Sequence, residues 1–353
     1  MKRIASRTIA SLLFGGALLF SGAASAQDAY KWWPFDVINR DTGKISTYEP
    51  LEKASKAWHV CILFPHVKDI YWVSVAYGVM EEARRLGIKA TLLEAGGYSN
   101  LVKQIAQYDD CVSLGADAIV LSVVSEAGLA NKIKEGHDKK IPQVALINPV
   151  SNAPVDAKIF VDYGDQAAFA AKYLVERYKG RETVNAVIFP GPPGADWAND
   201  AAKGFKEAVA GSNINILEEK YEDTGKATQL PLVEDTLQAH DNVNLLFGVP
   251  SMTSVAVEAL SEAGRDNIDV MAYIVDQQAA RDTAAGKILG FVSESPVVQG
   301  SIAIDTAVRL LEKADVTKNM APQTVLVTKD NIGTIDLRSG LAPEGWQLVT
   351  KVD

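Results

Sequence analysis

Short apolar runs alternate with amphipathic segments along most of the chain, and the whole alternation occurs twice. A run of about four to eight residues rich in Val, Ile and Leu is typical of a buried strand, whereas apolar residues at every third or fourth position indicate a helix. Strands joined by helices form parallel sheets, because a parallel connection has to cross over the sheet. The sequence therefore predicts an α/β protein with two doubly wound parallel sheets of comparable size.

The predicted elements fall into two sets. The first has strands at 59–64, 89–93, 118–121, 143–146 and 158–161, with helices that start near Tyr71, Asn100 and Leu129. The second has strands at 186–189, 214–217, 245–247, 270–273 and 289–292, with helices that start near Ala195, Thr228, Met252 and Gln278. A helix from Pro296 to about Lys313 and a strand at 323–327 follow. Ligands of open parallel sheets bind beyond the carboxyl ends of the strands, so two facing sheets predict one cleft.

The N-terminus has the three parts of a signal peptide. Basic residues within the first seven positions precede an apolar run at 9–20, and Ala24-Ser25-Ala26 supplies small residues for cleavage before Gln27. An uncleaved anchor is the alternative, but about a dozen apolar residues are too few to cross a ~30 Å hydrocarbon core. We therefore expect residues 1–26 to be a signal peptide that is removed on export to the periplasm.

The mature chain has no later apolar stretch long enough to span a membrane, so we expect it to be soluble rather than membrane-embedded. Residues 27–57 are mostly polar around Trp32-Trp33-Pro34-Phe35, and we expect them to form a flexible arm over the first lobe. Residues 329–353 are expected to form a C-terminal tail.

Charge and histidine spacing exclude several functions. The formal net charge is -9, and loss of the three basic residues of the signal peptide (-9 - 3) makes it about -12. Such a charge repels a phosphate backbone, so nucleic acid is not an expected partner. The four histidines are scattered without the spacing of metal ligands, and no metal or other cofactor is expected.

Cys61 and Cys111 are the only cysteines. In an oxidising compartment an even pair indicates one disulfide, which would close a loop of about 50 residues. Two buried free thiols are the alternative, because both cysteines flank apolar residues.

Aromatic residues recur in the predicted cleft loops of both sheets. Tyr71 and Trp72 open a helix, and Tyr163, Trp197 and Tyr273 lie at later strand ends. Ring faces attract alkylammonium groups by about 0.5–2 kcal/mol each when desolvated. The pattern predicts an aromatic cage for a ligand, and the alternative is that these rings pack in the core or hinge.

Asp69, Asn148, Asp276 and Glu294 are the polar candidates in the same loops. Side chains of these types accept hydrogen bonds from ligand hydroxyls, and the carboxylates also offset a cationic ligand. The alternative is that they cap helices or order loops, which is common for Asp and Asn.

The motifs of common enzyme classes are absent. Gly191-Pro192-Pro193-Gly194 follows a strand but lacks the Lys and Ser or Thr of a P-loop, and its prolines offer no amide donors to a phosphate. No Gly-x-Ser-x-Gly elbow occurs, and neither cysteine has an evident His partner. We therefore predict a binding protein with no catalytic residues.

Several segments resemble a known family, the ribose-type periplasmic sugar-binding proteins and, within them, the TorT-like group. The matching segments are Lys68-Asp69-Ile70-Tyr71-Trp72, Glu94-Ala95-Gly96-Gly97-Tyr98-Ser99, Pro190-Gly191-Pro192, Gly204-Phe205 and Gln299-Gly300. The resemblance covers essentially the whole mature chain, and the two cysteines fall where that group has them. It implies the type I periplasmic binding protein fold, with lobe 1 at 58–161 and 295–313, lobe 2 at 164–292 and 323–328, and a hinge of three crossings.

The TorT-like resemblance also implies a sensor that binds trimethylamine N-oxide (TMAO) between the lobes and works with a membrane histidine kinase. The matching aromatic positions are Tyr71, Trp72 and Tyr163. Trp197 and Asp276 depart from the group, which has smaller residues there, so the ligand can differ from TMAO.

The alternative within this fold is the substrate-binding component of a sugar-type ABC transporter. Ribose-type binders resemble the chain in the aromatic pair at the first helix, but they place hydrogen-bonding side chains at positions that match Asn148-Pro149 and Pro250. Pro149 and Pro250 offer none, and each lost buried hydrogen bond weakens sugar binding by about 0.5–1.5 kcal/mol. A less hydroxylated ligand is therefore favoured.

Overall fold

The computed structural model describes residues 33–353, and the predicted signal peptide lies outside the described residues. A large, mostly parallel sheet and a smaller parallel sheet, each covered by helices, make up this part of the chain, which confirms the predicted α/β class. The predicted comparable size of the two sheets is wrong, because three antiparallel edge strands enlarge the first sheet. We call the larger sheet with its helices lobe 1 and the smaller sheet with its helices lobe 2.

Lobe 1 contains a nine-stranded sheet. In chain order its strands are β1 (Phe35–Asn39), β2 (Ile45–Tyr48), β3 (His59–Phe64), β4 (Lys89–Glu94), β5 (Ala118–Leu121), β6 (Gln143–Leu146), β7 (Ala157–Ile159), β13 (Asn319–Pro322) and β15 (Lys351–Val352). The spatial order is β15-β4-β3-β5-β6-β7-β13-β1-β2. Its helices are α1 (Ile70–Leu86), α2 (Leu101–Ser113), α3 (Glu126–Asp138) and α9 (Pro296–Leu311).

Lobe 2 contains a four-stranded parallel sheet in the order β11-β10-β8-β9 and an antiparallel pair of strands, β12 and β14. The strands are β8 (Val184–Gly191), β9 (Ile214–Tyr221), β10 (Leu245–Gly248), β11 (Asp269–Ala272), β12 (Gly290–Ser293) and β14 (Val325–Thr328). The Leu289 amide, just before β12, donates to Val270 O of β11, so the pair continues the sheet. The helices are α4 (Tyr163–Tyr178), α5 (Asp196–Val209), α6 (Lys226–Ala239), α7 (Pro250–Glu262) and α8 (Gln277–Ala285).

Three connections pass between the lobes, at 160–162, 294–295 and 323–324. The C-terminal segment makes a further return to lobe 1, because β15 pairs antiparallel with β4. The expected tail at 329–353 is therefore tied down at its end. Its Leu337–Ser339 turn of 3-10 helix precedes that return.

Residues 33–57 are the described part of the expected flexible arm, and they contain two strands instead. β1 pairs with β13 and with β2, both antiparallel, so the segment extends the sheet of lobe 1. Asp305 of α9 holds the segment in place, since its carboxylate accepts the Leu51 amide at 2.7 Å and the Tyr48 hydroxyl. Residues 27–32 of the expected arm lie outside the described residues.

Helix α4 is an element that the apolar pattern did not predict. Asp162 caps it by accepting the Asp165 amide at 3.0 Å, and an acidic residue follows in the first turn. Such a cap with an acidic residue three positions later is a sequence signature of a helix start. Tyr163 therefore stands at the start of a helix rather than in a loop.

Two glycines allow α1 and α9 to pack almost backbone to backbone. A Cβ atom at Gly78 would lie 2.0 Å from Val297 O, and one at Gly300 would lie 2.6 Å from Val75 O. Ser301 adds a hydrogen bond from its hydroxyl to Gly78 O at 3.1 Å. The Gln299-Gly300 segment of the resemblance is thus a packing feature that fixes α1, the helix whose first turn faces the cleft.

Cys61 in β3 and Cys111 in α2 form a disulfide, with their Cα atoms 5.6 Å apart. Both residues are fully buried in the apolar core of lobe 1, together with Leu63, Tyr108 and Ile119. The bond ties the helix to an interior strand of the sheet.

Reduction of this disulfide should lower the free energy of unfolding by about 2–4 kcal/mol, because it releases a closed loop in the unfolded chain. The measurement is urea unfolding with and without dithiothreitol. A double variant with Cys61→Ala and Cys111→Ala serves as the control and should not respond to the reductant. An equal response of both proteins, or two alkylated thiols in freshly purified protein, would contradict the assignment.

Candidate functional site

A small cavity lies where the carboxyl ends of the strands of the two lobes face each other. Its volume is about 60 Å³. It is lined by Asp69, Tyr71, Trp72, Tyr98, Asn148, Tyr163, Trp197, Thr224, Val249, Pro250, Ser251, Ile274 and Asp276. The lining residues come from both lobes, so the cavity exists only while the lobes are together.

The start of α1 places the aromatic pair in this cavity. Asp69 precedes the helix, and its Oδ1 accepts the Trp72 amide at 3.0 Å. Trp72 packs against Phe64 with ring centroids 4.9 Å apart and meets Tyr71 edge-on at 5.8 Å. Both residues are less than 10% exposed. The cap and the ring contacts therefore fix both side chains.

Rings from lobe 2 complete the wall. The Tyr163 hydroxyl lies 2.9 Å from that of Tyr71 and forms a hydrogen bond across the cleft. Trp197 follows the β8 loop at the start of α5, with its ring 5.5 Å from Tyr163 and 6.0 Å from Tyr98. Five aromatic side chains thus line one small cavity.

Asn148 orients the fifth ring. Its Nδ2 donates to Val123 O at 2.8 Å and to the Tyr98 hydroxyl at 3.1 Å. Because the side-chain amide is held by the backbone, the Tyr98 hydroxyl has a fixed partner. Asn148 therefore acts on the cavity partly through the Tyr98 ring.

Two adjacent residues of lobe 1 contact two adjacent residues of lobe 2 at this site. Lys68 Nζ lies 2.6 Å from Asp223 Oδ2, and Thr224 Oγ1 donates to Asp69 Oδ2 at 3.2 Å. We call these four residues the clasp. The clasp joins the lobes directly beside the cavity.

The pKa values of the two carboxyl groups in the cavity are raised. Burial raises the pKa of Asp69 to about 6, against the opposing effect of the Trp72 and Thr224 hydrogen bonds. Burial also raises the pKa of Asp276, which caps α8 by accepting the Ala279 amide. His66 lies behind Trp72, and burial together with the Lys68 charge lowers its pKa to about 4.

Two of the predicted site residues, Glu294 and Tyr273, lie behind the cavity and do not line it. Gln166 Nε2 donates to Glu294 Oε2 at 2.8 Å and to Tyr273 O at 2.7 Å, while the Tyr273 hydroxyl donates to Pro190 O. Glu294 is 1% exposed, and burial raises its pKa to about 8. These residues order the hinge side of the cavity.

The other seven predicted residues do line the cavity: Asp69, Tyr71, Trp72, Asn148, Tyr163, Trp197 and Asp276. Sequence reasoning missed Tyr98, Thr224 and Ser251 as site residues. Tyr98 had a signal, because it lies in one of the segments of the family resemblance. Ser251 Oγ and Trp197 Nε1 are buried and lack hydrogen-bond partners among the described residues.

Two further kinds of site are absent from residues 33–353. No group of three or more His, Cys, Asp or Glu side chains in this range is placed to hold a metal ion. No helix in the same range is long and apolar enough to cross a membrane.

Comparison with known proteins assigns the chain to a family. Residues 60–315 match the periplasmic binding protein domain family. The chain is 32% identical over 302 residues to the periplasmic protein TorT of Escherichia coli K12, covering 84% of this chain and 85% of TorT.

Two kinds of solved structure are similar over most of the chain. An ABC transporter solute binding protein from Bradyrhizobium sp. BTAi1, with bound Bis-Tris, is 41% identical with a TM-score of 0.79 and covers 90% of this chain and 98% of its own. The complex of the TorS sensor domain with TorT has been solved without ligand and with TMAO. Its matching chain is 26% identical, with TM-scores of 0.75 and 0.76, and covers 83% of this chain and 99% of its own.

The buried carboxyl of Glu294 predicts a pH dependence of stability. Its pKa in the folded protein is about 8, above the ordinary value of about 4.3 in the unfolded chain. Its contribution to stability is therefore complete below about pH 4 and is lost as the pH rises through about 8. Relative to a Glu294→Gln variant, the wild type should lose stability steadily between pH 5 and pH 8.

The measurement is urea unfolding at several pH values, with Glu344→Gln as the matched control because Glu344 is exposed. Glu82 is also buried with its pKa raised to about 7, so only the difference between wild type and variant isolates Glu294. A difference that does not change with pH would contradict the assignment.

Proposed function

The chain belongs to the periplasmic binding protein family, and from that membership we propose that it senses TMAO or a related small methylated amine in the periplasm and signals through the sensor domain of a membrane histidine kinase. The observation that carries the ligand class is the small cavity walled by five aromatic side chains. The proposed periplasmic location agrees with the signal peptide expected at residues 1–26 and with the periplasmic location in the name of TorT.

A methylated nitrogen suits this cavity in size and in charge. Its methyl groups carry positive character, and such groups are attracted to aromatic faces by about 0.5–2 kcal/mol per ring when water is excluded. TMAO consists of one nitrogen, three methyl groups and one oxygen, and so compact a molecule suits a small cavity. The unpartnered Trp197 Nε1 and Ser251 Oγ offer donors for an amine-oxide oxygen.

The relatives support an amine of this kind. TorT has been solved in its complex with TMAO present. The Bradyrhizobium protein was solved with Bis-Tris, a tertiary amine that is larger than TMAO and carries several hydroxyl groups, so it supports a substituted nitrogen and not a small ligand. Both ligands carry a substituted nitrogen, and the shared element fits an aromatic cage.

A sugar fits less well. A pentose has roughly twice as many non-hydrogen atoms as TMAO, whereas binding clefts usually enclose most of their ligand. Pro250 and Val249 line the cavity and offer no side-chain hydrogen bond to a hydroxyl. Sugar binding would require a wider separation of the lobes.

The proposed partner is the sensor domain of a histidine kinase. The support for this partner is that TorT forms a complex with the TorS sensor domain both without ligand and with TMAO. The second candidate partner is an ABC permease, which is favoured by the description of the Bradyrhizobium protein. A ligand acts on either partner only through different affinity for open and closed lobes, and a cavity shared between the lobes meets that condition.

The ligand class is tested by a thermal-shift screen of amine oxides, betaines, choline and sugars, followed by calorimetry with TMAO. Trp72→Ala and Tyr71→Ala should each weaken TMAO binding by at least about 1 kcal/mol, since each removes a desolvated ring. Trp58→Ala is the matched control, because Trp58 is half-buried outside the cavity. Stabilisation by sugars alone, or unchanged affinity in a folded Trp72→Ala protein, would contradict the proposal.

The partner is tested by pull-down of the full mature protein with the kinase sensor domain and, separately, with ABC permease components, each with and without TMAO. We expect retention on the kinase domain that changes with TMAO, because the ligand favours closed lobes. Retention on the permease alone would overturn the sensor assignment. Retention on the kinase domain that does not change with TMAO would support the kinase as partner and contradict ligand-dependent signalling.

A further inference from the structure

We propose that Asp69 and Asp276 make the cavity select a methylated ammonium cation over a ligand of the same shape without net charge. The proposal rests on the proposed function, because it concerns the same cavity. It goes further by assigning the charge of the ligand and the two side chains that determine it. Neither residue is needed to explain the binding of an uncharged amine oxide.

The two carboxylates approach the cavity from opposite lobes. Asp69 precedes α1 in lobe 1, and Asp276 precedes α8 in lobe 2. Both line the cavity. The charge of Asp276 is one of the influences that raise the pKa of Asp69, so the two groups interact across the cavity. Closing the lobes therefore brings two like charges together.

No basic side chain among the described residues lines the cavity to compensate them. His66 lies 4.0 Å from Asp69, but its lowered pKa of about 4 leaves it neutral in the working range. The Lys68 ammonium is held by Asp223 at 2.6 Å on the other lobe. Asp69 thus faces one neutral imidazole, one ammonium that is already paired, and the carboxylate of Asp276.

The surroundings of Asp276 are similar. Lys226 and Arg281 are close enough to lower its pKa, but neither lines the cavity. The amide of Ala279 offsets part of the charge at the helix start, with a hydrogen bond of 2.6 Å to Oδ1. Burial outweighs these influences, because the pKa of Asp276 is raised overall.

A cation in the cavity resolves the repulsion. An ammonium ion between the two lobes attracts both carboxylates, and its methyl groups contact the five rings. An amine oxide can contact the same rings, and Trp197 Nε1 and Ser251 Oγ can donate hydrogen bonds to its oxygen. It leaves the two carboxylates without a cationic partner inside the cavity, however, so the cation makes more favourable contacts.

The test uses tetramethylammonium and TMAO, which have the same tetrahedral shape and differ by a methyl group in place of oxygen. Calorimetry on the mature protein at pH 7.5 should give tighter binding of tetramethylammonium by about tenfold or more, as expected for a desolvated cation beside carboxylates. Asp276→Asn should remove most of this preference while keeping a side chain that can cap α8. Asp336→Asn, which changes a cap outside the cavity, is the matched control and should keep it.

The pH dependence gives a second readout. Protonation of Asp69 removes one of the two charges, so the affinity for tetramethylammonium should fall as the pH is lowered through about 6. The affinity for TMAO should not fall in this range. Asp69→Asn should lower the affinity for the cation at pH 7.5 and flatten its pH profile, and it keeps the proposal testable if Asp276→Asn does not fold.

The outcomes separate the two proposals. TMAO binding as tight as tetramethylammonium in the wild type, or a preference that survives both Asp→Asn changes, would overturn the charge selection and leave the proposed function intact. Failure of every methylated amine and amine oxide to bind would overturn both. A preference for the cation that is lost in Asp276→Asn and kept in Asp336→Asn supports the assignment.

Discussion

The contact between the start of α1 and the loop after β9 is the interaction on which the cavity depends. Asp69 caps the helix through Trp72 and reaches Thr224 on the other lobe, while its neighbour Lys68 reaches Asp223. One short segment therefore sets the position of an aromatic ring and the distance between the lobes. The helix behind it cannot shift easily, because Gly78 places it against the backbone of α9.

Enclosure gives the cavity its chemical character. In a space of about 60 Å³ between two lobes, rings and carboxylates are screened less by bulk water, and their electrostatic effects are larger than at a surface. The same enclosure makes the unligated closed state costly, because it buries Asp69 and Asp276 in a cavity that holds no basic side chain of the described residues. A ligand that relieves this cost favours closure, and closure is the change of shape that a partner protein can detect.

The fold was largely predictable from the sequence, because the alternation of buried strands and helices leaves few arrangements. The site was predictable where it follows directly from strand ends, as at Tyr71, Trp72 and Asp276. Thr224 was missed because charged residues suggested that β9 ends at 217, whereas the strand continues to Tyr221. Tyr98 was missed because its position depends on a turn at Gly96 and Gly97, whose φ angles of 89° and 145° carry no apolar pattern. The joining of 33–57 and 351–352 to the sheet of lobe 1 depends on tertiary pairing at sheet edges, which local patterns do not specify.

A crystal structure of the mature protein grown with a small methylated amine tests the central claim most directly. We predict that its nitrogen lies between the lobes, with methyl groups against Tyr71, Trp72, Tyr98, Tyr163 and Trp197, and that the clasp is intact. A ligand bound outside this cavity, or lobes that close with Trp72 and Trp197 in contact and no space between them, would contradict the account.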